Sequence, residues 1–128
     1  MTRFTLSKQE RLSSRKDIET LFESGQSLAK YPIRLVWLMQ PEPTSAPVSV
    51  MFSVSKKKFS RAVDRNRIKR LLRESYRLLK PAFYETLPSG THILLGIMYT
   101  GRELPVLDDI QKGLNVALER LVTLIPKE

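Results

Sequence analysis

The sequence predicts an α+β fold in which helices pack against one β-sheet, and three observations carry this prediction. Segments with strand-like patterns alternate with segments of helical apolar spacing, in the coarse order α-β-β-α-β-α. A length of 128 residues and a hydrophobic content of 41% suffice for one core. No internal repeat or low-complexity tract divides the chain. We therefore predict one domain over residues 1–128, with Gln26–Lys30 as a candidate for a further edge strand.

The first helix is predicted to begin near Ser14, which forms with Asp17 a pattern similar to a capping box. The apolar residues that follow have helical spacing, namely Ile18, Leu21 and Phe22. Gly25 is a typical C′ residue, where a helix stops. The polar and basic residues 1–12 before this helix predict an ordered arm.

Two strands are predicted next. Ile33–Gln40 is apolar at most positions, which is typical of a strand covered on both faces. Val48–Val54 alternates between two sets of side chains, as a strand with two different faces does. Pro41–Pro47 contains three prolines and predicts a loop. We expect these two strands to pair as a hairpin, and we predict a third strand at Thr91–Tyr99.

The longest helix is predicted from about Ser60 to Lys80, with Pro81 closing it. At about 100° per residue, its apolar side contains Ile68, Leu71, Leu72, Ser75, Tyr76 and Leu79. The opposite side contains Lys69, Arg70, Arg73 and Arg77, with Asn66 among them and Arg67 on the flank. This helix can therefore bury one side and present cations on the other.

A last helix is predicted after Pro105, because Asp108 and Asp109 suit the positive end of a helix dipole. Its helically spaced apolar set is Ile110, Leu114, Ala117, Leu118, Leu121 and Ile125. Strand 48–54, the basic helix and strand 91–99 form a β-α-β unit, for which a right-handed crossover is the general expectation.

The net charge lies in one window, Lys56–Lys80, which holds eleven Lys and Arg against two acidic residues. The other 103 residues carry eleven basic and eleven acidic side chains and are neutral. Basic side chains four residues apart on one helix repel one another, as Arg65, Lys69, Arg73 and Arg77 do. The alternative, a solvated charged face, normally mixes both signs. The window therefore predicts binding to a polyanion, and nucleic acid in particular.

Several classes of function are disfavoured. The chain has no cysteine, and its single histidine, His92, has no partners for a nucleophile, base and orienting group. Asp108 and Asp109 are more typical of a helix start than of a metal pair. We predict no catalytic residue and no metal site in the polypeptide. The apolar runs fall short of the roughly 18 residues of a membrane span, and the polar N-terminus does not resemble a secretory signal, so we expect a cytoplasmic protein.

Aromatic residues could supply stacking surfaces for unpaired bases, and the candidates are Phe22, Trp37, Phe59 and Tyr76. Packing in the core is the alternative, and it is favoured for any single one of them. The apolar character of both faces of strand 33–40 leaves open which sheet face is exposed.

The run SVSKKKFSRAVDRNRIKRLLRESYR, from Ser53 to Arg77, closely resembles the signature of the bacterial ribonuclease P protein component. The centre of that signature is Arg65-Asn66-Arg67, continued by Ile68-Lys69-Arg70 and Arg73-Glu74. The preceding RLSSRKDIETLFESGQS is similar to the first helix of the family, and the resemblance spans roughly residues 8–122. It implies an αβββαβα sandwich resembling the ribosomal protein S5 domain 2-like fold, with a left-handed βαβ crossover and a true strand at Gln26–Lys30.

The resemblance also implies a function. Ribonuclease P (EC 3.1.26.5) removes the 5′ leader of precursor tRNA, and its RNA subunit carries the chemistry with Mg²⁺, so the protein needs no cofactor of its own. The implied partners are the ribonuclease P RNA, bound 1:1 by a monomeric protein, and precursor tRNA. The residues implied for the RNA subunit are Arg61, Arg65, Asn66, Arg67, Lys69, Arg70, Arg73 and Arg77. Those implied for the leader are Ile18, Phe22, Trp37, Lys56, Lys57 and Lys58.

One departure from the family concerns the first helix, where relatives often have aromatic residues at both positions that match Ile18 and Phe22. Stacking on this helix would then depend on Phe22 alone. Two other interpretations of the basic helix are a structural RNA-binding protein of ribosomal type and a DNA-binding regulator. The second is disfavoured because no helix-turn-helix partner precedes the basic helix.

Overall fold

A computed structural model describes residues 6–7, 10–40 and 46–125. Its elements follow in the order αβββαβα, as predicted: α1 (Arg15–Ser24), β1 (Gln26–Lys30), β2 (Ile33–Gln40), β3 (Val48–Val54), α2 (Ala62–Glu85), β4 (His92–Tyr99) and α3 (Leu107–Leu124). The four strands form one mixed sheet in the order β1-β2-β4-β3. This confirms the α+β class and the short edge strand. No helix of the described residues is long and apolar enough to cross a membrane.

The strand pairing corrects the predicted hairpin. The two antiparallel hairpin strands are β1 and β2, whereas β3 pairs in parallel with β4, which lies between β2 and β3. The physical reason is burial, because β4 is buried at seven of its eight positions and is best covered in the middle of the sheet. Residues 41–45 of the predicted Pro41–Pro47 loop lie outside the described residues. The left-handedness of the β3-α2-β4 crossover stays a prediction.

The sheet carries helices on both faces. The larger core lies between the sheet and helices α2 and α3, and its strand residues include Ile33, Leu35, Trp37, Val50, Leu95 and Ile97. A smaller cluster lies on the opposite face below α1 and consists of Leu12, Leu21, Val36 and Leu94. Because α1 packs on β2 and β4, the edge strand β3 borders a more open part of this second face.

The helix ends follow from local contacts. The Asp17 N–H donates to Ser14 Oγ at 3.3 Å, which confirms the predicted N-cap of α1. Gly25 ends α1, but with an extended backbone (φ −72°) instead of the left-handed C′ conformation. A side chain there has no room, because an added Cβ would lie 2.4 Å from the Leu21 carbonyl oxygen and 3.0 Å from that of Trp37.

The predicted end of the basic helix at Pro81 is wrong, since α2 continues through Pro81 to Glu85. Packing of the last turn offsets the hydrogen bond that proline lacks. Phe83 is 5% exposed, and its ring lies edge-on to Tyr76 with the centroids 6.3 Å apart. All six residues of the predicted apolar set of the last helix are buried, five of them within α3 and Ile125 at its C-cap.

The predicted arm is described in part, because residues 1–5 and 8–9 lie outside the described residues. Arg11 forms an isolated parallel bridge with Val50 of β3, and the Leu12 N–H donates to the Val50 carbonyl at 2.9 Å. Leu12 is buried below α1. The arm therefore passes along the edge of the sheet before α1 begins.

Candidate nucleic-acid interface

Helix α2 has one buried side and one cationic side, as its sequence predicts. Ile68, Leu72 and Tyr76 are fully buried against the sheet. The opposite side carries the exposed residues Arg61, Asn66, Arg67, Arg70 and Arg73 and the half-buried residues Arg65, Lys69 and Arg77. Burial of the apolar side fixes the rotation of the helix, so the basic side chains project together away from the core.

Three of these arginines also make contacts within the chain. Arg65 Nη1 donates to the carbonyls of Phe59 and Ser60, both at 2.8 Å, and so ties the preceding loop to the first turn of α2. Arg77 Nε donates to Glu74 at 3.1 Å, and this hydrogen bond lowers the pKa of the Glu74 carboxyl. The guanidinium of Arg73 lies over the Phe52 ring, 5.9 Å from its centroid.

A groove of about 470 Å³ lies beside this cationic side, at the β3 edge. The arm, α1, β3 and α2 all contribute to it, through Leu6, Arg11, Leu12, Ile18, Val50, Met51, Phe52, Lys69 and Arg73. The groove thus has an apolar floor and basic residues from two segments of the chain. It also brings together Ile18, predicted for the leader, with Lys69 and Arg73, predicted for the RNA subunit.

The four aromatic candidates divide into one exposed ring and three core rings. Phe22 is 47% exposed and follows Ile18 by one turn of α1. Phe59 and Tyr76 lie in the larger core. Trp37 is 2% exposed and shares the α2 and α3 side of β2 with Ile33 and Leu35. The prediction of Trp37 for leader stacking is wrong in this structure, because its ring offers no face to a base.

The three lysines before α2 occupy the turn that follows β3, and all are exposed. Lys58 Nζ donates to the Thr100 carbonyl at 2.9 Å, which links this turn to the end of β4. The turn is thus held on two sides, by Lys58 and by Arg65. Lys56 and Lys57 extend the basic surface of α2 toward this end of the sheet.

Sequence reasoning assigned no role to Arg11, although the structure places it in the groove with Lys69 and Arg73. The available sign of such a role was a basic side chain in an arm to which no other function had been assigned. The pairing with Val50 that brings it to the groove is a long-range contact, so local pattern could not reveal it.

The residues considered for catalysis or metal binding have structural contacts. His92 is buried, and its Nδ1 lies 2.9 Å from the Ala46 carbonyl oxygen. Asp108 pairs with Lys112 at 2.9 Å on the surface of α3. Within the described ranges, no three His, Cys, Asp or Glu residues form a group that could hold a metal ion.

Comparison with known proteins agrees with this architecture. A family model described as Ribonuclease P matches residues 6–121. The ribonuclease P protein component of Porphyromonas gingivalis is 38% identical over 124 residues, which cover 96% of this chain and 90% of that protein.

Solved structures show the same fold. The RNase P protein of Staphylococcus aureus superposes with a TM-score of 0.68 at 21% identity, over 89% of this chain and 96% of that one. The RNase P protein of Thermotoga maritima superposes with a TM-score of 0.66 at 21% identity, over 92% of this chain and 99% of that one.

Proposed function

The chain belongs to the ribonuclease P protein family, and from this premise we propose that it is the protein subunit that binds both the catalytic RNA and the 5′ leader of precursor tRNA. The observation that carries the proposal is the position of the groove. It lies directly beside the cationic side of α2, so one continuous surface can hold two RNA segments. The protein would act in the cytoplasm as a monomer bound 1:1 to the RNA subunit.

The cationic side of α2 would bind the RNA subunit. Arginine suits this role because its planar guanidinium forms paired hydrogen bonds with phosphate oxygens and stacks on bases. The residues assigned to this contact are Arg61, Arg65, Asn66, Arg67, Lys69, Arg70, Arg73 and Arg77. Arg65 would act partly through the loop it holds, since its guanidinium donates to two carbonyls there.

The groove and its surroundings would hold the single-stranded leader. Phe22 offers an exposed ring for stacking, Ile18 supplies an apolar wall, and Lys56, Lys57 and Lys58 supply charge at the end of the sheet. Lys69 and Arg73 lie at the border between the groove and the helix surface, where the two RNAs would meet.

This arrangement explains how a protein without catalytic groups could assist cleavage. The RNA subunit with its Mg²⁺ would carry out the hydrolysis. By neutralising phosphates, the protein would lower the Mg²⁺ concentration needed for RNA folding and substrate docking. By binding the leader, it would favour precursor over mature tRNA, because mature tRNA lacks that strand.

The test is cleavage of a 5′-precursor tRNA by a bacterial ribonuclease P RNA at low Mg²⁺, with and without the protein. We expect the protein to restore cleavage at the mature 5′ end. Parallel titrations with ribosomal RNA and duplex DNA distinguish the alternatives. Binding to the RNA without any rescue of cleavage would contradict the proposal and favour a ribosomal type of RNA-binding protein.

A further inference from the structure

A buried polar contact joins the N-terminal arm to the end of α2, and we propose that it positions the arm as a wall of the groove. We call Glu10, Lys80 and Tyr84 the clasp. The inference rests on the proposed function, because it takes the occupant of the groove to be the single-stranded leader. Glu10, Lys80 and Tyr84 themselves would not touch the RNA and would act through the arm.

The clasp fixes the Glu10 carboxylate through both oxygens. Lys80 Nζ lies 3.0 Å from Oε2 and 3.3 Å from Oε1. The Tyr84 hydroxyl donates to Oε2 at 2.5 Å, and the Ser7 N–H donates to Oε1 at 2.8 Å. Burial alone would raise the pKa of Glu10, but these hydrogen bonds and the Lys80 charge outweigh it and hold the pKa below its ordinary value. The carboxylate is therefore charged at neutral pH.

The ion pair is largely buried and is not a surface contact. The side chains of Lys80 and Glu10 are 12% and 9% exposed, and they are seventy residues apart in the sequence. A buried ion pair adds little net stability compared with apolar residues of similar size. Its distinctive property is geometric, since Glu10 must lie against the end of α2 to form its hydrogen bonds with Lys80 and Tyr84.

That placement determines where Arg11 lies. On one side of Arg11, Glu10 is held by α2, and on the other side Leu12 is held by β3 and the cluster below α1. Arg73 and Lys80 are seven residues apart on α2, close to two full turns, and so share one side of the helix. The clasp thus anchors the arm to the same side of α2 that carries the groove cations, and fixes Arg11 opposite Lys69 and Arg73.

The test uses a double variant that keeps the net charge of the protein, Glu10→Gln with Lys80→Met. Holoenzyme assembled with this variant is titrated with precursor tRNA and with mature tRNA over a range of salt concentrations. The ratio of the two affinities isolates the leader contact. Each phosphate contact to a single strand contributes about 0.7 to the slope of log affinity against log salt concentration. We therefore expect the logarithm of the affinity ratio to depend less steeply on log salt concentration, by about 0.7. We expect the preference for precursor to fall about fivefold, which corresponds to the loss of one hydrogen-bonded contact.

Two comparisons distinguish positioning from a general structural role. Arg11→Met should flatten the slope equally, and adding the double variant to Arg11→Met should flatten it no further, because both changes remove the same contact. Asp108→Asn with Lys112→Met removes an exposed ion pair on α3 and is the charge-matched control, which should leave the ratio unchanged.

Several results would overturn the proposal. It fails if the folded double variant keeps the full precursor preference and salt slope, or if only its assembly with the RNA subunit weakens. If the double variant does not fold, Tyr84→Phe removes one hydrogen bond of the clasp, and an unchanged ratio in that variant also overturns it. A wild-type holoenzyme without precursor preference would instead contradict the proposed function.

Discussion

The first five turns of α2 carry most of its basic side chains and the last two turns carry one, Lys80, and the surroundings of the two parts differ. Arg67, Arg70 and Arg73 face solvent along the first part, whereas Lys80 lies below the N-terminal arm and pairs with Glu10. In the charge count of the window Lys56–Lys80, all of these residues are equivalent. Their roles differ because a second segment of chain covers one end of the helix and leaves the other open.

This comparison teaches that a run of positive charge does not define a binding surface by itself. The part of the run that we propose to face RNA is the part that the N-terminal arm leaves uncovered. The last turns serve instead to attach the arm and to close the larger core through Phe83. Variants at the two ends should therefore affect different measurements, and four predictions test this division.

The largest effect is expected at the structural end. Phe83→Ala should lower the free energy of unfolding by about 3 kcal/mol, because it leaves a cavity where the ring now packs against Tyr76. Urea denaturation measures it. Leu78→Ala, at a 41% exposed position of the same helix, is the control and should cost far less. Equal losses in both variants would contradict the packing argument for the helix end.

Glu10→Gln should lower the free energy of unfolding by about 3 kcal/mol at pH 7, because it leaves the Lys80 ammonium buried without its counter-charge. The pKa of Glu10 lies below its ordinary value of 4.5, so its stabilising contribution is present above that pH and is lost as the pH falls through the folded-state pKa. Denaturation at several pH values between 7 and 3 should show this loss in the wild type. A variant with the same pH dependence as the wild type would refute the assignment.

Arg67→Ala should weaken assembly with the RNA subunit about tenfold. The slope of log affinity against log salt concentration should fall by about 1, and the free energy of unfolding should not change. Filter binding over a range of salt concentrations measures the affinity and the slope. Arg120→Ala, exposed on α3, is the matched control and should change neither.

Arg65→Ala should also weaken assembly, but it should lower the free energy of unfolding as well, since Arg65 donates hydrogen bonds to two carbonyls of the loop. Unchanged affinity in both Arg65→Ala and Arg67→Ala would remove α2 from the interface.

The smallest effect is expected for Phe22→Ala, which should reduce the preference for precursor over mature tRNA by about 1 kcal/mol through one lost stacking contact. Assembly with the RNA subunit should survive. Competition between precursor and mature tRNA for the holoenzyme measures the preference, with Leu124→Ala as an exposed apolar control. Equal precursor preference in wild type and Phe22→Ala would show that the ring makes no leader contact.

Local sequence pattern predicted much of this molecule, because the spacing of apolar residues within a helix shows which side of that helix is buried. The period of α2 separates Ile68 and Leu72 from Arg70 and Arg73 without reference to the rest of the chain. The same reasoning gave the apolar side of α3. The N-cap of α1 also follows from residues within one turn.

Long-range contacts account for what pattern missed. β2 and β4 are apolar on both faces, so neither their order in the sheet nor the side on which Trp37 lies could be inferred from alternation. The pairing of Glu10 with Lys80 and the bridge from Arg11 to Val50 join segments about seventy and forty residues apart. Such contacts depend on the assembled fold and leave no periodic signal in the sequence.

The bridge between the arm and β3 has a consequence for self-association. β3 is an edge strand, and an uncovered edge offers backbone donors and acceptors to a strand of another molecule. The Leu12 N–H occupies the Val50 carbonyl in the middle of that edge, and the arm passes over it before turning into α1. The segment that lines the groove thus also occupies part of the strand edge at which another molecule could otherwise pair.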